Sequence, residues 1–346
     1  MQREPASALT SIALAAALLL CAKPVKPNAD NGLNAAAFAS LCGIYTLKDA
    51  VQPADWATGF DNEDDIISSI FNANLSTATA SWLETKDNTP TGSEGTSERQ
   101  AALKEWLAEV KKRQAIKPEG TDDDTYKPVP ETPFKQLANV EINSKHQQAA
   151  KLGADFKNQK STVVAAYQKA IEHIKKAIYG EAGDDYTGAG MSATKQHTCG
   201  DGTNGHAEAG YSVVNDMICL CTPAASPLGK PCGQKAFDQV NANPTSTKAT
   251  AGKNLLAACR KPPSKETLTP ELIQSRIATF YAQIGAQTAT ATDGSAHYVL
   301  GLATDTGCTG SSQAECVNYV HQLKTPGTGI NWIKELNSAT KILSAA

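Results

Sequence analysis

Excess positive charge, long apolar runs and aromatic rings are all scarce in this chain, and each shortage removes a class of function. Lys and Arg number 32 against 35 Asp and Glu, a formal charge of −3. No basic field therefore draws the chain onto nucleic acid or anionic lipid. Aromatic residues make up 6% of the 346 residues. A β-sandwich wants more of them and more β-branched residues, whereas the abundant Ala and Thr suit long helices and extended loops. No apolar run reaches the roughly 18 residues of a membrane span. The nucleophile elbow G-x-S-x-G and the phosphate-loop ending G-K-[ST] are also missing.

What is present begins at the N-terminus. Arg3 precedes an 11-residue apolar run, Ile12 to Ala22, too short to span a bilayer and the right size for the core of a secretory signal. Residues 1–29 are read as that signal, with cleavage between 22 and 30. Export sets the reading of the cysteines. Beyond Cys21 there are eight: Cys42, Cys199, Cys219, Cys221, Cys232, Cys259, Cys308 and Cys316. An even number in an oxidising compartment predicts four disulfides. Short spacing pairs Cys308 with Cys316. One of Cys219 and Cys221 takes Cys232 and the other Cys259, which leaves Cys42 for Cys199.

Helical periodicity dominates two parts of the chain. Phe38, Leu41, Cys42 and Tyr45 share one face of a first helix with Asn34 as its N-cap. The stretch from 54 to 71 reads as short pieces, followed by a short helix at 81–85. A further helix carries Leu103, Trp106, Leu107 and Val110 on one face. From about Pro133 to Tyr179, Leu152, Phe156, Val163, Tyr167, Ile171, Ile174 and Ile178 recur at near-heptad spacing. That predicts a helix of roughly 60 Å at 1.5 Å per residue. Its stripe needs a partner, either the helix from Asn34 or the closing helix with Trp332, Leu336, Ala339 and Leu343 on one face.

Between 180 and 329 the texture changes to Gly, Pro, Ser and Thr, with seven of the eight later cysteines. One helix stands out there, with Thr269 as N-cap, Pro270 at its first position and Glu271 in its first turn. The expected fold is mainly α. It is an elongated bundle on a long antiparallel helical hairpin (about 34–179 plus 330–346) with a disulfide-rich head of loops and short strands (about 180–329).

No constellation rises to an active site, and no enzyme, metal or cofactor is expected. Ser311 and Ser312, in the cysteine-closed loop GCTGSSQAEC, lack an elbow and read as turn residues. His197, Cys199, His206, Cys219 and Cys221 could be drawn as a zinc cluster, but disulfides are favoured in an exported chain. The acidic runs at 61–65 and 122–124 lack calcium-loop spacing and read as solvated surface. The glycine-rich stretch 180–195 follows a helix instead of a strand and reads as a loop. Asn74-Leu75-Ser76 is the one N-glycosylation sequon.

Several segments together resemble the N-terminal domain of the trypanosome variant surface glycoproteins, class B. NAAAFASLCGIYTL resembles the family's first helix and KAIYGEAG the end of its long helix. MICLC with PCG, then LAACRKPP before LTPELIQSRIATF, resembles its cysteine ladder; GCTGSSQAECVNY and INWIKEL close it. The likeness spans about 34–343 and is weak from 60 to 130. It implies a non-enzymatic surface coat glycoprotein that shields the cell and serves antigenic variation and immune evasion. It further implies homo-oligomers (dimer or trimer), host antibodies as partners, and a location on the outer face of the plasma membrane. The anchor would be a GPI group on a C-terminal domain not in this chain. Class B members can carry O-linked hexose on an upper loop, which maps to Ser311, with Ser312 beside it. The alternative is a surface receptor for a host protein or nutrient on the same scaffold.

Overall fold

The computed structural model describes residues 32–53, 63–78, 129–223, 230–233, 235–240, 247–287, 295–302, 308, 314–324 and 328–346, together with Lys104 and Ala108. The expected signal segment, the 81–85 helix and the Leu103 face lie outside these residues. Among the described residues the fold is mainly helical, with one two-stranded sheet. The chain divides into two compact units, one of residues 1–53 and 166–346, the other of residues 54–165.

In the unit of residues 54–165, α2 (Glu63–Thr77) lies antiparallel to the first part of α3 (Lys135–Tyr179). Paired positions run in opposite senses: Asp64 with Lys157 at 2.8 Å, Phe71 tilted against His146 with centroids 5.0 Å apart, and Asn74 bonded to Asn139 and Asn143. Gly153 sits buried at this seam, where an added Cβ would meet Ile67 at 2.6 Å. The covered row of α3 runs 139, 142, 146, 149, 153, 156, 160 and 163, alternating steps of three and four as a helix–helix seam requires. Leu152, expected on the stripe, is 69% exposed because the row passes through Gly153 instead. The partner is α2, which was expected only as short pieces. Its first turn holds Glu63, Asp64 and Asp65, so the acidic run favours the helix N-terminus by its charge.

The other unit is built around α5 (Val213–Cys221). All nine of its residues are buried, so this helix needs neighbours on every side. It packs against α1 (Ala35–Tyr45), α4 (Lys195–Cys199), α6 (Lys248–Ala258) and strand β2. Ser212 caps it, accepting from Asn215 N at 3.2 Å. Strand β1 (Val299–Gly301) pairs antiparallel with β2 (Cys316–Asn318), Leu300 opposite Val317. Gly301, at φ +89°, brings β1 so close to α5 that a Cβ would meet Leu220 at 2.5 Å. Between β2 and the closing helix lies the short α8 (Val320–Leu323).

α7 (Pro270–Tyr281) starts as expected, with Thr269 accepting from Leu272 N at 3.2 Å and Pro270 in its first turn. Its Ile273, Ile277 and Phe280 are buried, and Phe280 meets Trp332 of α9 (Asn331–Ala345) edge-on, centroids 4.6 Å apart. Trp332, Leu336, Ala339 and Leu343 of α9 are all buried, the expected face. Glu335 of α9 takes Lys176 at 2.8 Å and His173 at 2.7 Å from the end of α3. Burial works against the Glu335 carboxylate, but these two partners outweigh it and hold its pKa below the usual range.

Four disulfides close the unit: Cys42–Cys259, Cys199–Cys219, Cys221–Cys232 and Cys308–Cys316. The expected Cys42–Cys199 pair is corrected, as is the link from Cys219 or Cys221 to Cys259. Because α5 is helical, Cys219 and Cys221 face different neighbours, roughly 200° apart at 3.6 residues per turn. Cys219 meets α4, while Cys221 meets the segment at Cys232. Cys259, at the end of α6, is then left for α1. This cross-link closes a sequence separation of 217, against 8 for Cys308–Cys316. Loop entropy makes the long link worth about 5 kcal/mol and the short one about 2–3 kcal/mol. A C42S/C259S chain should therefore lose about 3 kcal/mol more stability than C308S/C316S in urea titration. Equal losses would show that the long link does not restrain the unfolded chain.

Candidate functional site

The polar groups with the most constrained surroundings lie inside the α5 core. Asp216 interrupts the apolar run VVNDMICLC and is fully buried. Its Oδ2 accepts from Tyr319 OH at 2.6 Å and from Trp332 Nε1 at 2.7 Å; Oδ1 accepts from Gly210 N at 3.3 Å. One carboxyl thus ties α5 to β2's continuation and to α9. All three donors are neutral, so burial dominates and pushes the Asp216 pKa up to about 7, against the pull of these hydrogen bonds. The Tyr319 phenol, buried against this carboxyl, is held well above its ordinary value and stays a donor.

Lys195 is the second buried charge. Its ammonium donates to the carbonyl of Thr222 and to Thr222 Oγ1, the latter at 3.2 Å. Burial brings its pKa down to about 7, with Glu315 pulling the other way. This lysine ends the glycine-rich stretch 180–195, and its inward course joins that loop to the end of α5. In the same loop Tyr186 is buried and donates to Asn215 Oδ1 at 2.6 Å.

Asn34 occupies the N-cap position of α1 but makes no cap bond with its side chain. Its amide instead donates to Leu220 O at 2.9 Å and Glu315 O at 2.6 Å, and accepts from Leu302 N at 2.9 Å. It therefore fastens the start of α1 to α5 and to the backbone beside both strands.

Cys199, Cys219 and Cys221 are all in disulfides. His197 and His206 stack on each other, centroids 4.4 Å apart. Among the described residues no group of three or more His, Cys, Asp or Glu could hold a metal ion. Asn74 lies inside α2, 5% exposed, its side chain held by Asn139 and Asn143. A glycan on that nitrogen would break the α2–α3 seam, so the structure disfavours the sequon as an acceptor. Ser311 and Ser312 lie outside the described residues. The loop's two ends, Cys308 and Cys316, are both buried, and Cys316 lies in β2. Among the described residues no helix is long and apolar enough to cross a membrane.

Asp216 and Asn34 were missed as organising residues, although a charged residue inside an apolar run is a legible signal for Asp216. Nothing in the sequence distinguishes Asn34 from an ordinary helix cap. The arrangement defines a mainly helical scaffold domain, its buried polar groups spent on joining elements and its cysteines on cross-links. The chain belongs to the trypanosomal VSG domain family, whose model (VSG_B) matches residues 16–346. It is 30% identical to variant surface glycoprotein YnAT 1.1 of Trypanosoma congolense over 189 residues, 50% of this chain and 45% of that protein. It is also 29% identical to variant surface glycoprotein ILTAT 1.21 of Trypanosoma brucei brucei over 136 residues, 38% of this chain and 27% of that protein. The matched part thus spans less than half of each relative's length.

The two buried charges set opposite pH slopes. Asp216 has a raised folded pKa, so its stabilisation is present below about pH 4 and lost as pH rises through about 7. Lys195 has a lowered one, so the unfolded chain binds the extra proton and stability rises from about pH 7 to about 10. In Asp216→Asn the fall in urea stability between about pH 4 and 7 should flatten by up to about 4 kcal/mol. At the acid end the variant should cost about 1 kcal/mol, because its amide opposes Gly210 N–H. An unchanged slope would remove Asp216 as the titrating group.

Proposed function

We propose that this domain is the outward part of a non-enzymatic surface coat glycoprotein of a trypanosome, serving antigenic variation and immune evasion. Membership of the VSG domain family over residues 16–346 carries the reading. The architecture supports it: the buried polar groups and the disulfides are used within the core. Surface residues are thereby left open to change without loss of the frame.

In this reading the chain is exported by its N-terminal segment and held on the outer face of the plasma membrane by a GPI anchor on a C-terminal domain. It packs as a homo-oligomer (dimer or trimer) and meets host antibodies. Ser311, with Ser312 beside it, is the proposed acceptor of an O-linked hexose. The Cys308–Cys316 link closes that loop across eight positions, and both neighbours of the serines are small or polar, which favours access by a transferase.

Phosphatidylinositol-specific phospholipase C treatment of parasites expressing the chain tests this directly. The protein should be the dominant species released, and its 308–316 peptide should carry hexose. A minor species holding a stoichiometric serum ligand would overturn the coat role in favour of a receptor. An unmodified peptide would remove the Ser311 assignment alone.

A further inference from the structure

The loop joining α4 to α5 carries an arrangement that neither the core nor the coat role uses. His197 of α4 and His206 of the loop are stacked, ring planes 5° apart and centroids 4.4 Å. His206 Nδ1 accepts from the backbone N–H of Glu208 at 3.3 Å. In that bond Nδ1 is the acceptor, and a proton placed there would point at another donor. Two residues on, Glu208 Oε2 is buried without a hydrogen-bond partner. A buried carboxylate oxygen left unmet is unusual and asks for a use.

The remainder of the loop is held from one side. Gln322 Nε2 of α8 donates to the carbonyls of His206, Ala207 and Ala209, at 2.9, 3.3 and 2.9 Å. Asn318 Nδ2 donates to Gly202 O at 2.9 Å. Gly205, at φ +64°, lies so near α8 that a Cβ would come within 3.1 Å of the His321 amide. The clamp from α8 consists of neutral amides and does not change with pH. The ionisable side chains carried by these elements are Lys195 and His197 on α4, Asp201, His206 and Glu208 on the loop, and His321 on α8. Lys195 of α4 is turned to Thr222, and Asp216 to Tyr319 and Trp332.

We propose that His197, His206 and Glu208 form an acid-operated latch on the loop between α4 and α5. At neutral pH the uncharged stack and the Glu208 N–H···Nδ1 bond keep the loop closed. On acidification a solvent proton binds His206 Nδ1. The acceptor becomes a donor facing the Glu208 N–H, and that bond breaks. Protonation of His197 as well sets two like charges face to face, which the stack does not tolerate. The His206 imidazolium then turns to the unmet Glu208 carboxylate oxygen, a charge-assisted pair within the same turn. The Gln322 clamp persists, so the change is confined to the outer side of the loop.

Hydrogen exchange of the whole chain at about pH 7.5 and about 5.5, corrected for intrinsic rates, spans the range in which histidines change charge. Peptides covering 200–210 should lose about tenfold or more protection at the lower pH, a decade in the opening equilibrium. His206→Asn keeps an acceptor in the Nδ1 position but takes no proton, and its protection should not change with pH. Glu208→Gln removes the acid-state partner and should lower protection further at low pH. An unchanged wild-type loop, or an equal response in His206→Asn, overturns the latch. Nuclear magnetic resonance of the wild-type chain gives a check that needs no variant. The His206 ring and Glu208 amide signals must move with one midpoint, and separate midpoints overturn the proposal.

Discussion

A nine-residue helix with no exposed face is the constraint on which the unit of residues 1–53 and 166–346 depends. Val213, Val214, Met217, Ile218 and Leu220 each gain about 1.5–3 kcal/mol from leaving water. That gain is available only if α1, α4, α6 and β2 close around α5 together. The disulfides follow from the same demand. Cys219 and Cys221 lie on opposite sides of the helix and bind it to α4 and to the Cys232 segment, while Cys42–Cys259 joins the surrounding α1 to the end of α6. Short elements rich in glycine and threonine would not assemble on their own propensity. Around a helix that must be covered, they have one arrangement.

The same helix explains why two charges are buried, one within it and one against its end. An apolar helix can slide or rotate among apolar neighbours at little cost. Asp216, meeting Tyr319, Trp332 and Gly210, fixes its rotation, and Lys195 on Thr222 fixes the loop against its end. Each costs stability near neutral pH, and specificity of packing is the compensating gain. Asn34 does related work without charge, reaching three backbone groups from elements far apart in sequence. In a family read as a coat, a frame fixed by buried residues lets the outer loops differ.

Much of the helical layout was legible. The 3.6-residue rhythm of 133–179 gave α3 within two residues, and the Trp332, Leu336, Ala339, Leu343 face of α9 is buried as its spacing required. Thr269-Pro270-Glu271 marked the start of α7 because caps are local chemistry. The helix α2 was not legible, since its buried residues mix Phe71 and Leu75 with Asn74 and Thr77, and part of its seam with α3 is made by Asn74, Asn139 and Asn143. Leu152 was misplaced because Gly153, with no side chain to count, holds the seam. Disulfide partners beyond the shortest loops depend on which way α5 turns, and spacing alone does not carry that. The resemblance pointed to the family, while the buried hubs depend on tertiary contacts that spacing does not carry. The loop of Ser311 is defined here only by its buried ends.

Native-state hydrogen exchange of the α5 amides tests the central claim most directly. Amides from about Asp216 to Leu220 should exchange only through global unfolding, with an opening free energy equal to that from urea titration. Exchange of these amides through a cheaper local opening, faster than those of α7 or α9, would contradict a fold organised around α5.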